Sequence, residues 1–577
     1  MKKFGRTGLA CLCAVAMLTG CGSVAGTNAN SNVGNGVSKE NAASKEFANA
    51  TEIILSDAGT TVDGAAITED TSAAVYAAKD IVFYLEGQGF TYGEGEEQDE
   101  HSQEEADGHT VIHITKPGTY AVSGSLSAGQ IAVDLGEDAE EDPEAVVTLI
   151  LNNMDITCTV APGIIFYNVY ECGEADAETA GKDVDTTAAG ANVLIADGTY
   201  NTVNGSYVAR IYKSYELNEA GTEVVDSKKL HKYDAAFYSK MSMNVNGDEK
   251  GTGVLEINAE NEGLDSELHL TINGGNIDIT SGNDGINTNE DEVSVTTING
   301  GTLTITVDGA TGEGDGIDSN GWLVINGGNV YAYACSISGD AGIDSDMGIH
   351  INGGNVVATG NMLDHISDST QNYAVFSFAS RQSGGESVVL KNDKKKAVGE
   401  WTTVNDYSYL IVAGDMLEEG TYSLWIDDKQ YAGMAGSGAG MGFGGFGGGM
   451  GFGGDMGFGQ GFAEGEMPEM PEGFGEGEMP QMPEGFTGGE MPQMPEGFAG
   501  GEMPEMPEGF AGGEMPQMPE GVTGGEMPAG GFGGGRGQGD GKGQGGRGQM
   551  NQNMGETSAE FVINAGGNYF NFVSVAE

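Results

Sequence analysis

The phrase Ile272-Asn273-Gly274-Gly275 occurs four times in this chain of 577 residues. The later copies begin at Ile298, Ile325 and Ile351, so the spacings are 26, 27 and 26 residues. A fixed period of this size indicates an architecture of stacked repeats. Each Gly-Gly pair is followed by alternating apolar and polar residues, as in Ile277-Asp278-Ile279, and this alternation predicts a short strand with one apolar face.

The repeats predict an all-β fold built on a right-handed parallel β-helix, a solenoid that spans residues 51–360. A single coil cannot bury its own apolar face, so the coils must stack and share one core. The region lacks helix-forming runs, which argues against alternating strands and helices, and a propeller blade would need about 40 residues. Stacking would also bring the asparagines of the repeated phrase into a ladder at one corner. These residues are Asn273, Asn299, Asn326 and Asn352.

A second phrase is interleaved with the first and carries acidic or amide side chains. Its copies are Glu262-Gly-Leu-Asp265, Asp284-Gly-Ile-Asn287, Asp315-Gly-Ile-Asp318 and Ala341-Gly-Ile-Asp344. In stacked coils the last residues of these copies would lie in a row, about 4.8 Å apart. Like charges at that distance destabilise a fold unless something neutralises them, and no Lys or Arg occurs from Gly251 to Ser380.

Calcium is the predicted counterion, because it accepts irregular sets of carboxylate and carbonyl oxygens. The predicted metal ligands are Asp265, Asp284, Asn287, Asp315, Asp318, Asp340, Asp344 and Asp346. A solvated acidic face without bound metal is the alternative interpretation of the same residues.

The two interleaved phrases resemble those of the calcium-loaded β-helix carbohydrate-binding domain family of bacterial surface lipoproteins, whose architecture is similar to that of pectate lyases. Four further stretches resemble the earlier coils of that family, and they are residues 118–124, 147–157, 197–201 and 234–237. The resemblance runs from about Thr51 to Tyr431 and implies a polysaccharide ligand and a calcium cofactor. Asn287 and Ala341 depart from it, because the family pattern has Asp at both positions.

The N-terminus has the pattern of a bacterial lipoprotein signal. Residues 1–20 combine a basic start with a short apolar stretch, and the sequence from Leu18 to Cys21 resembles a lipobox. We predict cleavage before Cys21, lipidation of its thiol, and attachment to the extracytoplasmic face of the bacterial cell membrane, at the cell surface. An ordinary secretory signal with a chance cysteine is the alternative. Residues 21–50 are rich in small polar residues and predict a flexible spacer.

The repeat fades after Gly360. Strand patterns of a different rhythm predict a small β cap over residues 361–435, which would cover the core of the last coil. Residues 436–555 are Gly-, Met-, Pro- and Glu-rich repeats of low complexity, and we predict a disordered insertion there. Residues 556–577 are strand-like again, and we expect them to complete the cap.

Charge limits the classes of function. The chain has 87 acidic and 24 basic residues and a formal charge of −63, which disfavours nucleic acid as a partner and favours cations. A lyase similar to pectate lyases would use an Arg or Lys base, which the repeats lack. We therefore predict a binding module and not an enzyme. A polysaccharide lyase or glycoside hydrolase is the first alternative, and a structural surface adhesin is the second.

An extracellular polysaccharide is the ligand that follows from the resemblance. An acidic glycan such as polygalacturonate would need calcium to bridge its carboxylates to the aspartates. A neutral, cellulose-like glucan would instead stack on exposed aromatic side chains. Trp322, Tyr331 and Tyr333 are predicted to point outward and to form such a carbohydrate-binding platform.

Overall fold

A computed structural model describes residues 47, 49–173, 176–218, 220–229, 232–436 and 556–576. This part of the chain is mostly β, with an α-helix, α1 (Gln103–Gly108), and 3-10 helices at Glu97–Asp99 and Glu137–Glu141. None of its helices is long and apolar enough to cross a membrane. The predicted signal peptide, Cys21, nearly all of the spacer and the Met-Pro repeats lie outside the described residues.

The opening coils and one exposed hairpin contain the first strands. These are β1 (Thr51–Ser56), β2 (Thr61–Val62), β3 (Ala65–Ala66), β4 (Val75–Ala78), β5 (Thr110–Ile114), β6 (Gly118–Leu126), β7 (Gly129–Val133), β8 (Val147–Thr157), β9 (Ile164–Phe166), β10 (Ala191–Ile195), β11 (Tyr200–Gly205), β12 (Tyr212–Leu217) and β13 (Val224–Lys229). Strands β12 and β13 pair with each other as an antiparallel hairpin.

The repeats contain the next strands. These are β14 (Ala235–Ser239), β15 (Met243–Gly247), β16 (Val254–Ala259), β17 (Glu262–Ser266), β18 (His269–Ile272), β19 (Asn276–Ser281), β20 (Ile286–Thr288), β21 (Val295–Ile298), β22 (Thr302–Val307), β23 (Trp322–Ile325), β24 (Asn329–Tyr333), β25 (Gly348–Ile351) and β26 (Asn355–Gly360). The last strands are β27 (Tyr373–Gln382), β28 (Ser387–Asn392), β29 (Ala397–Thr402), β30 (Tyr407–Ala413), β31 (Gly420–Ile426), β32 (Lys429–Gly436), β33 (Phe561–Ile563) and β34 (Gly567–Val575).

The strands stack in three parallel columns. Arm A consists of β8, β10, β15, β18, β21, β23 and β25. Arm B consists of β8, β11, β16, β19, β22, β24 and β26, and the long strand β8 joins the two arms. Sheet C consists of β5, β7, β9, β14, β17 and β20. A repeat such as residues 262–281 passes through sheet C, arm A and arm B in that order.

Equivalent residues of successive repeats are aligned with each other. In arm A, Ile272 is the parallel partner of Ile298, which in turn pairs with Ile325. Leu264 of sheet C and Ile279 of arm B are buried in the same hydrophobic core as Ile272. The strands therefore share one continuous core between the three columns, as the periodicity predicts.

The second glycine of the repeated phrase adopts a backbone conformation that other residues avoid. The φ angles are +94° at Gly275, +86° at Gly301, +84° at Gly328 and +82° at Gly354. A Cβ atom on Gly301 would also lie 2.5 Å from the carbonyl oxygen of Gly275 in the coil below. Each corner therefore needs glycine for its positive φ and for the close approach of the stacked backbones.

The predicted asparagine ladder is confirmed. The Nδ2 of Asn299 donates to Oδ1 of Asn273 at 2.9 Å, and Asn326 donates to Asn299 at 3.0 Å. Asn352 continues the ladder by donating to Asn326 at 3.1 Å. The ladder also reaches one coil further than the repeated phrase, because Asn273 donates to Asn246 at 3.0 Å. The side-chain amides therefore link five successive coils at this corner.

The pairing changes from parallel to antiparallel after Gly360. Strand β26 pairs antiparallel with β30, while β34, from the end of the chain, pairs parallel with β27 and antiparallel with β32. Strands β27 to β34 enclose a second hydrophobic cluster that includes Phe376, Phe561 and Phe570. These strands, which we call the cap, lie against arm B through the pairing of β26 with β30.

Candidate functional site

The last residues of the interleaved phrase lie in one row along sheet C. Asp265 is the parallel partner of Asn287, and a parallel bridge between Ile286 and Ile317 extends the register to the next coil. The N–H of Asp344 then donates to the carbonyl oxygen of Ile317, which adds the coil after that. We call this set the Asp344 row. It consists of Asp265, Asn287, Asp318 and Asp344.

The first residues of the phrase form a second row, the Asp284 row. It consists of Glu262, Asp284 and Asp315. Backbone hydrogen bonds place these residues in successive coils, since Gly263 donates to the carbonyl oxygen of Asp284 and Gly285 donates to that of Asp315. Oδ1 of Asp284 accepts from the N–H of Asp315 at 2.6 Å, and Oδ1 of Asp315 accepts from Ala341. The carboxylates of Asp284 and Asp315 therefore each hold the backbone of the following coil.

Burial raises the pKa of these carboxyl groups. The pKa of Asp318 is raised to about 7 and that of Asp344 to about 8, first by loss of hydration and then by neighbouring carboxylates. In the second row, the pKa of Asp284 is raised to about 7 and that of Asp315 to about 10 by the same causes. Asp265 is 0% exposed, and its pKa is raised well above the usual range. As ions these groups need a cation close by.

Several oxygens of the site have no hydrogen-bond partner within the described residues, although they are buried. They are Oε2 of Glu262, Oδ1 of Asn287, Oδ1 of Asp344 and Oδ1 of Asp234. Glu262 is 3% exposed and Asn287 is 7% exposed, so solvent does not readily replace the missing partners. Carboxylate and amide oxygens are the ligands that calcium prefers, and the site therefore fits this ion.

Acidic side chains alone do not complete a metal site. In the part of the chain that the structure describes, no group of three or more His, Cys, Asp or Glu side chains is arranged to hold a metal ion by itself. Calcium also accepts amide and backbone carbonyl oxygens. Oδ1 of Asn287 is such an oxygen, and the departure from Asp at this position still leaves an oxygen ligand.

Asp340 and Asp346, which the sequence also predicts as ligands, flank the rows. Oδ2 of Asp340 accepts from the N–H of Gly314 at 2.6 Å and from the hydroxyl of Ser338. Asp346 is exposed, and its charge helps to raise the pKa of Asp318, after burial and Asp284. The structure thus brings all eight predicted ligands into one acidic strip, with six of them in the two rows.

Three acidic residues of the strip are missing from the predicted ligands, and one of them is Asp234, whose Oδ1 is buried without a partner in the described residues. Glu262 begins the Asp284 row, and Asp364 lies beyond Asp344, where its Oδ2 accepts from the N–H of Ser345 at 3.2 Å. Asp364 is the first charged group, after burial, to raise the pKa of Asp344. The pair Leu363-Asp364 keeps the apolar–Asp ending of the phrase without its glycine, and Leu363 packs against the core. That ending is the sequence signal from which Asp364 could have been predicted as a member of the strip.

One lysine from outside the repeats approaches the acidic strip, and another lines the surface beside Trp322. The Nζ of Lys232 lies 2.8 Å from Oδ2 of Asp234, and its charge also acts on Glu262. Lys182 belongs to residues 176–189, which cross the outer face of arm A, and it lines the same groove as Trp322. The lack of Lys and Arg in the repeats therefore does not leave the surface without cations, and it is a weaker argument against a catalytic base than the sequence suggests.

Tyr331 and Tyr333 do not form the exposed platform that the sequence predicts. Tyr333 is 5% exposed, and its hydroxyl donates to the carbonyl oxygen of Thr402 at 3.3 Å. Tyr331 is half-buried and packs against the hydrophobic cluster of the cap. The expected exposure is wrong because the cap folds back over this face of arm B. Trp322, on arm A, remains half-exposed.

Comparison with known proteins gives the family. The sequence model of carbohydrate-binding domain-containing proteins matches residues 107–396. This range includes Trp322 and both the Asp344 row and the Asp284 row, which we together call the acid rows. A carbohydrate-binding domain-containing protein of Acetivibrio thermocellus is 28% identical over 169 residues, which are 29% of this chain and 44% of that relative, so the match spans less than half of the relative.

A solved polysaccharide lyase-like protein from C. thermocellum, described as a gadolinium derivative, is similar to 52% of this chain and 96% of its own, with 20% sequence identity and a TM-score of 0.30. The family model covers half of the present chain, from the opening coils through the repeats and into the cap. The chain therefore belongs to the family of carbohydrate-binding domain-containing proteins.

Proposed function

We propose that this protein is a lipid-anchored carbohydrate-binding protein on the extracytoplasmic face of a bacterial cell, and that it binds an extracellular polysaccharide in a calcium-dependent way. The observation that carries the calcium dependence is the set of buried oxygens without hydrogen-bond partners in the described acid rows. Family membership supports the carbohydrate ligand. The anchor rests on Cys21 and the signal-like residues before it.

Calcium would be held by oxygens of the Asp344 row and the Asp284 row. When bound, the ion supplies positive charge that allows these carboxyl groups to be ionised while buried. The residues of each row come from successive coils, so one ion would tie together strands that are far apart in the chain. A ligand that binds only the folded state stabilises it by mass action, and calcium would act here in that way.

We also propose that the strand columns form a right-handed parallel β-helix. Three columns of parallel strands with aligned repeats support it, because parallel strands of one sheet are joined by right-handed connections in nearly all proteins. The aligned rows are also what makes a shared calcium site possible. A solenoid that presents long, regular faces suits a ligand that is itself a long, regular polymer.

Binding is favoured over catalysis because the two lysines that could act as a base are both paired with carboxylates. Lys232 forms an ion pair with Asp234, and Lys182 forms one with Asp183 at 2.8 Å, so each of these bases is engaged by a carboxylate. A polysaccharide lyase remains the second function to test, because Lys182 lies on the surface close to Trp322. Such a lyase would produce an unsaturated uronide that absorbs ultraviolet light.

Retention on immobilised polysaccharides, with calcium or with a chelator, tests the proposal. We expect the protein to be retained on at least one polysaccharide in calcium, to elute with chelator, and to release no unsaturated product on prolonged incubation. Retention that a chelator leaves unchanged would contradict the calcium dependence. Ultraviolet-absorbing product from polygalacturonate would replace the binding function with a lyase, and the substitution Lys182→Ala would then identify the base.

A further inference from the structure

A groove lies on the outer face of arm A, beside the acidic strip. Its floor includes Trp322 of β23, whose parallel partners are Val295 and Gly348. The volume is about 730 Å³, and ligand sites in proteins usually have about 300–1,000 Å³. We call it the Trp322 groove. The residues that line it include Lys182, Trp322, Met347, His350, His365 and Asp368.

One wall of the groove is built by residues 364–371, which run beside β25. Ile366 forms a parallel bridge with Ile349, and the hydroxyl of Ser369 accepts from the N–H of Ile351 at 2.9 Å. A Cβ atom on Gly348 would lie 2.2 Å from the hydroxyl of Ser367, so only glycine lets this wall approach the strand. The wall is therefore fixed by backbone contacts and does not depend on a ligand.

Lys182 also lines the groove, and it belongs to the crossing segment, residues 176–189. Its Thr186 hydroxyl lies 2.7 Å from Oδ1 of Asn244 and 2.7 Å from Oγ1 of Thr271, both on the outer face of arm A. These contacts anchor the segment over β15 and β18. The described part of the segment therefore lies against arm A, and its Lys182 side chain borders the groove.

The groove combines the groups that recognise sugar rings and hydroxyls. The indole of Trp322 offers an apolar face on which a pyranose ring can stack, and the exposed side chains of His365 and Asp368 can exchange hydrogen bonds with hydroxyls. Charge disfavours an anionic sugar, because the ammonium of Lys182 is already 2.8 Å from Oδ1 of Asp183. The formal charge of −63 adds a long-range repulsion of polyanions.

We infer that the Trp322 groove is the polysaccharide-binding site, and that its ligand is an uncharged glycan held by stacking on Trp322. This inference rests on the proposed carbohydrate-binding function and adds the site and the class of sugar. The acid rows then have a different task, which is to bind calcium and stabilise the coils beneath the groove. Binding of sugar and binding of metal are thereby assigned to different residues of the same repeats.

The test measures binding of soluble oligosaccharides to the full chain by calorimetry, in calcium. The uncharged probes are cellohexaose, xylohexaose and mannohexaose, and the anionic probe is hexagalacturonate. We expect at least one uncharged probe to bind, and Trp322→Ala to weaken it about tenfold or more through the lost stacking. Tyr200→Ala is the matched control, because Tyr200 is an aromatic residue of arm B that is 56% exposed, and its loss should leave binding unchanged.

A second pair of variants keeps the test independent of the packing of Trp322. Met347 lines the groove and Met362 does not, and each is 42% exposed. Met347→Arg should block binding of the uncharged probe, whereas Met362→Arg should retain it. The melting temperature of each variant in calcium shows whether the fold is intact.

The outcomes separate the inference from the function on which it rests. If the wild-type protein binds an uncharged probe and folded Trp322→Ala and Met347→Arg bind it equally well, the groove is not the site, although the protein still binds carbohydrate. If only hexagalacturonate binds, the class of sugar inferred here is wrong. If no oligosaccharide or immobilised polysaccharide binds at all, the proposed function itself fails.

Discussion

At the scale of single residues, the most informative feature is a set of carboxyl groups that are buried beside each other. Asp265 is fully buried, and Glu262 has a carboxylate oxygen without a partner among the described residues. Burying an ionised carboxylate is costly unless it is paired, so such groups are protonated or bind a cation. One such pairing exists without metal, because Lys232 neutralises Asp234. The carboxyl groups of the Asp344 row have no comparable lysine among the described residues.

The pH dependence of the metal-free protein follows from these groups. The pKa of Asp318 is raised to about 7 and that of Asp344 to about 8, above their ordinary value of 3.8. The folded state therefore binds protons more tightly than the unfolded state, and this stabilisation is complete below about pH 4 and is lost as pH rises through 7 to 8. We expect the melting temperature in chelator to fall between pH 5.5 and 8.5.

Calcium should remove most of that fall, because a bound cation favours the ionised carboxylates. The measurement is a calorimetric melting series over this pH range, in chelator and in calcium. A metal-free melting temperature that is constant or rises toward pH 8.5 would contradict the buried, uncompensated state of Asp318 and Asp344.

At the scale of elements, the repeats were predictable and the cap contacts were not. The asparagine ladder follows from the period of the phrase, because stacked strands place like residues over like. The burial of Tyr331 and Tyr333 depends on strands that lie about 70 residues further along the chain, as the contact with Thr402 shows. A periodic pattern predicts which face a side chain is on, but it does not tell what later covers that face.

Lys182 illustrates the same limit for the binding surface. Residues 176–189 have no repeat, so nothing in their sequence indicates that they cross the outer face of arm A. The contact of Thr186 with Asn244 and Thr271 fixes this crossing. The Trp322 groove could therefore not be predicted from the repeats alone, although its central residue was.

The cap strands enclose a hydrophobic cluster of their own, and one substitution in their last strand should destabilise it. Phe570 is 4% exposed, and its ring lies 4.8 Å from that of Phe561 and 5.3 Å from that of Phe376, centroid to centroid. Phe570→Ala should cost about 3–5 kcal/mol of the cap's free energy of unfolding. Urea unfolding followed by tryptophan fluorescence reports on the cap, because Trp401 and Trp425 lie in β29 and β31.

Phe572→Ala is the matched control for this experiment. Phe572 lies in the same strand and is 47% exposed, so its removal should change the free energy of unfolding by about 0.5 kcal/mol or less. Equal urea midpoints for the two variants would mean that β34 does not complete the cluster of the cap.

At the scale of the whole molecule, the family match supports carbohydrate binding by the repeats, whereas the sequence pattern alone supports the lipid anchor. The family model covers residues 107–396, whereas the predicted lipid anchor at Cys21 lies outside the described residues. A formal charge of −63 would repel an anionic membrane surface, so attachment would have to come from the acyl chains. The anchor and the binding site are therefore separable by mutation.

Cys21→Ala should release the protein from the membrane fraction or leave it unprocessed. The acyl chains on this thiol are the only attachment that the proposal assigns to the N-terminus. Fractionation of bacterial cells that express the protein, with an antibody against the repeats, is the measurement, and binding to polysaccharide should be the same for the released protein. Processed Cys21→Ala protein that stays in the membrane fraction would contradict the lipid anchor.

The central claim is that calcium neutralises the acid rows, and titration calorimetry of the chelator-treated, dialysed protein with calcium tests it most directly. We expect saturable binding that Asp318→Ala and Asp344→Ala each weaken about tenfold or more, because each removes a charged ligand. Asp308→Ala should bind like the wild type, because Asp308 is exposed and lies outside both rows. Absence of saturable binding to the wild-type protein would show that the rows are only a solvated acidic face, and would contradict the account.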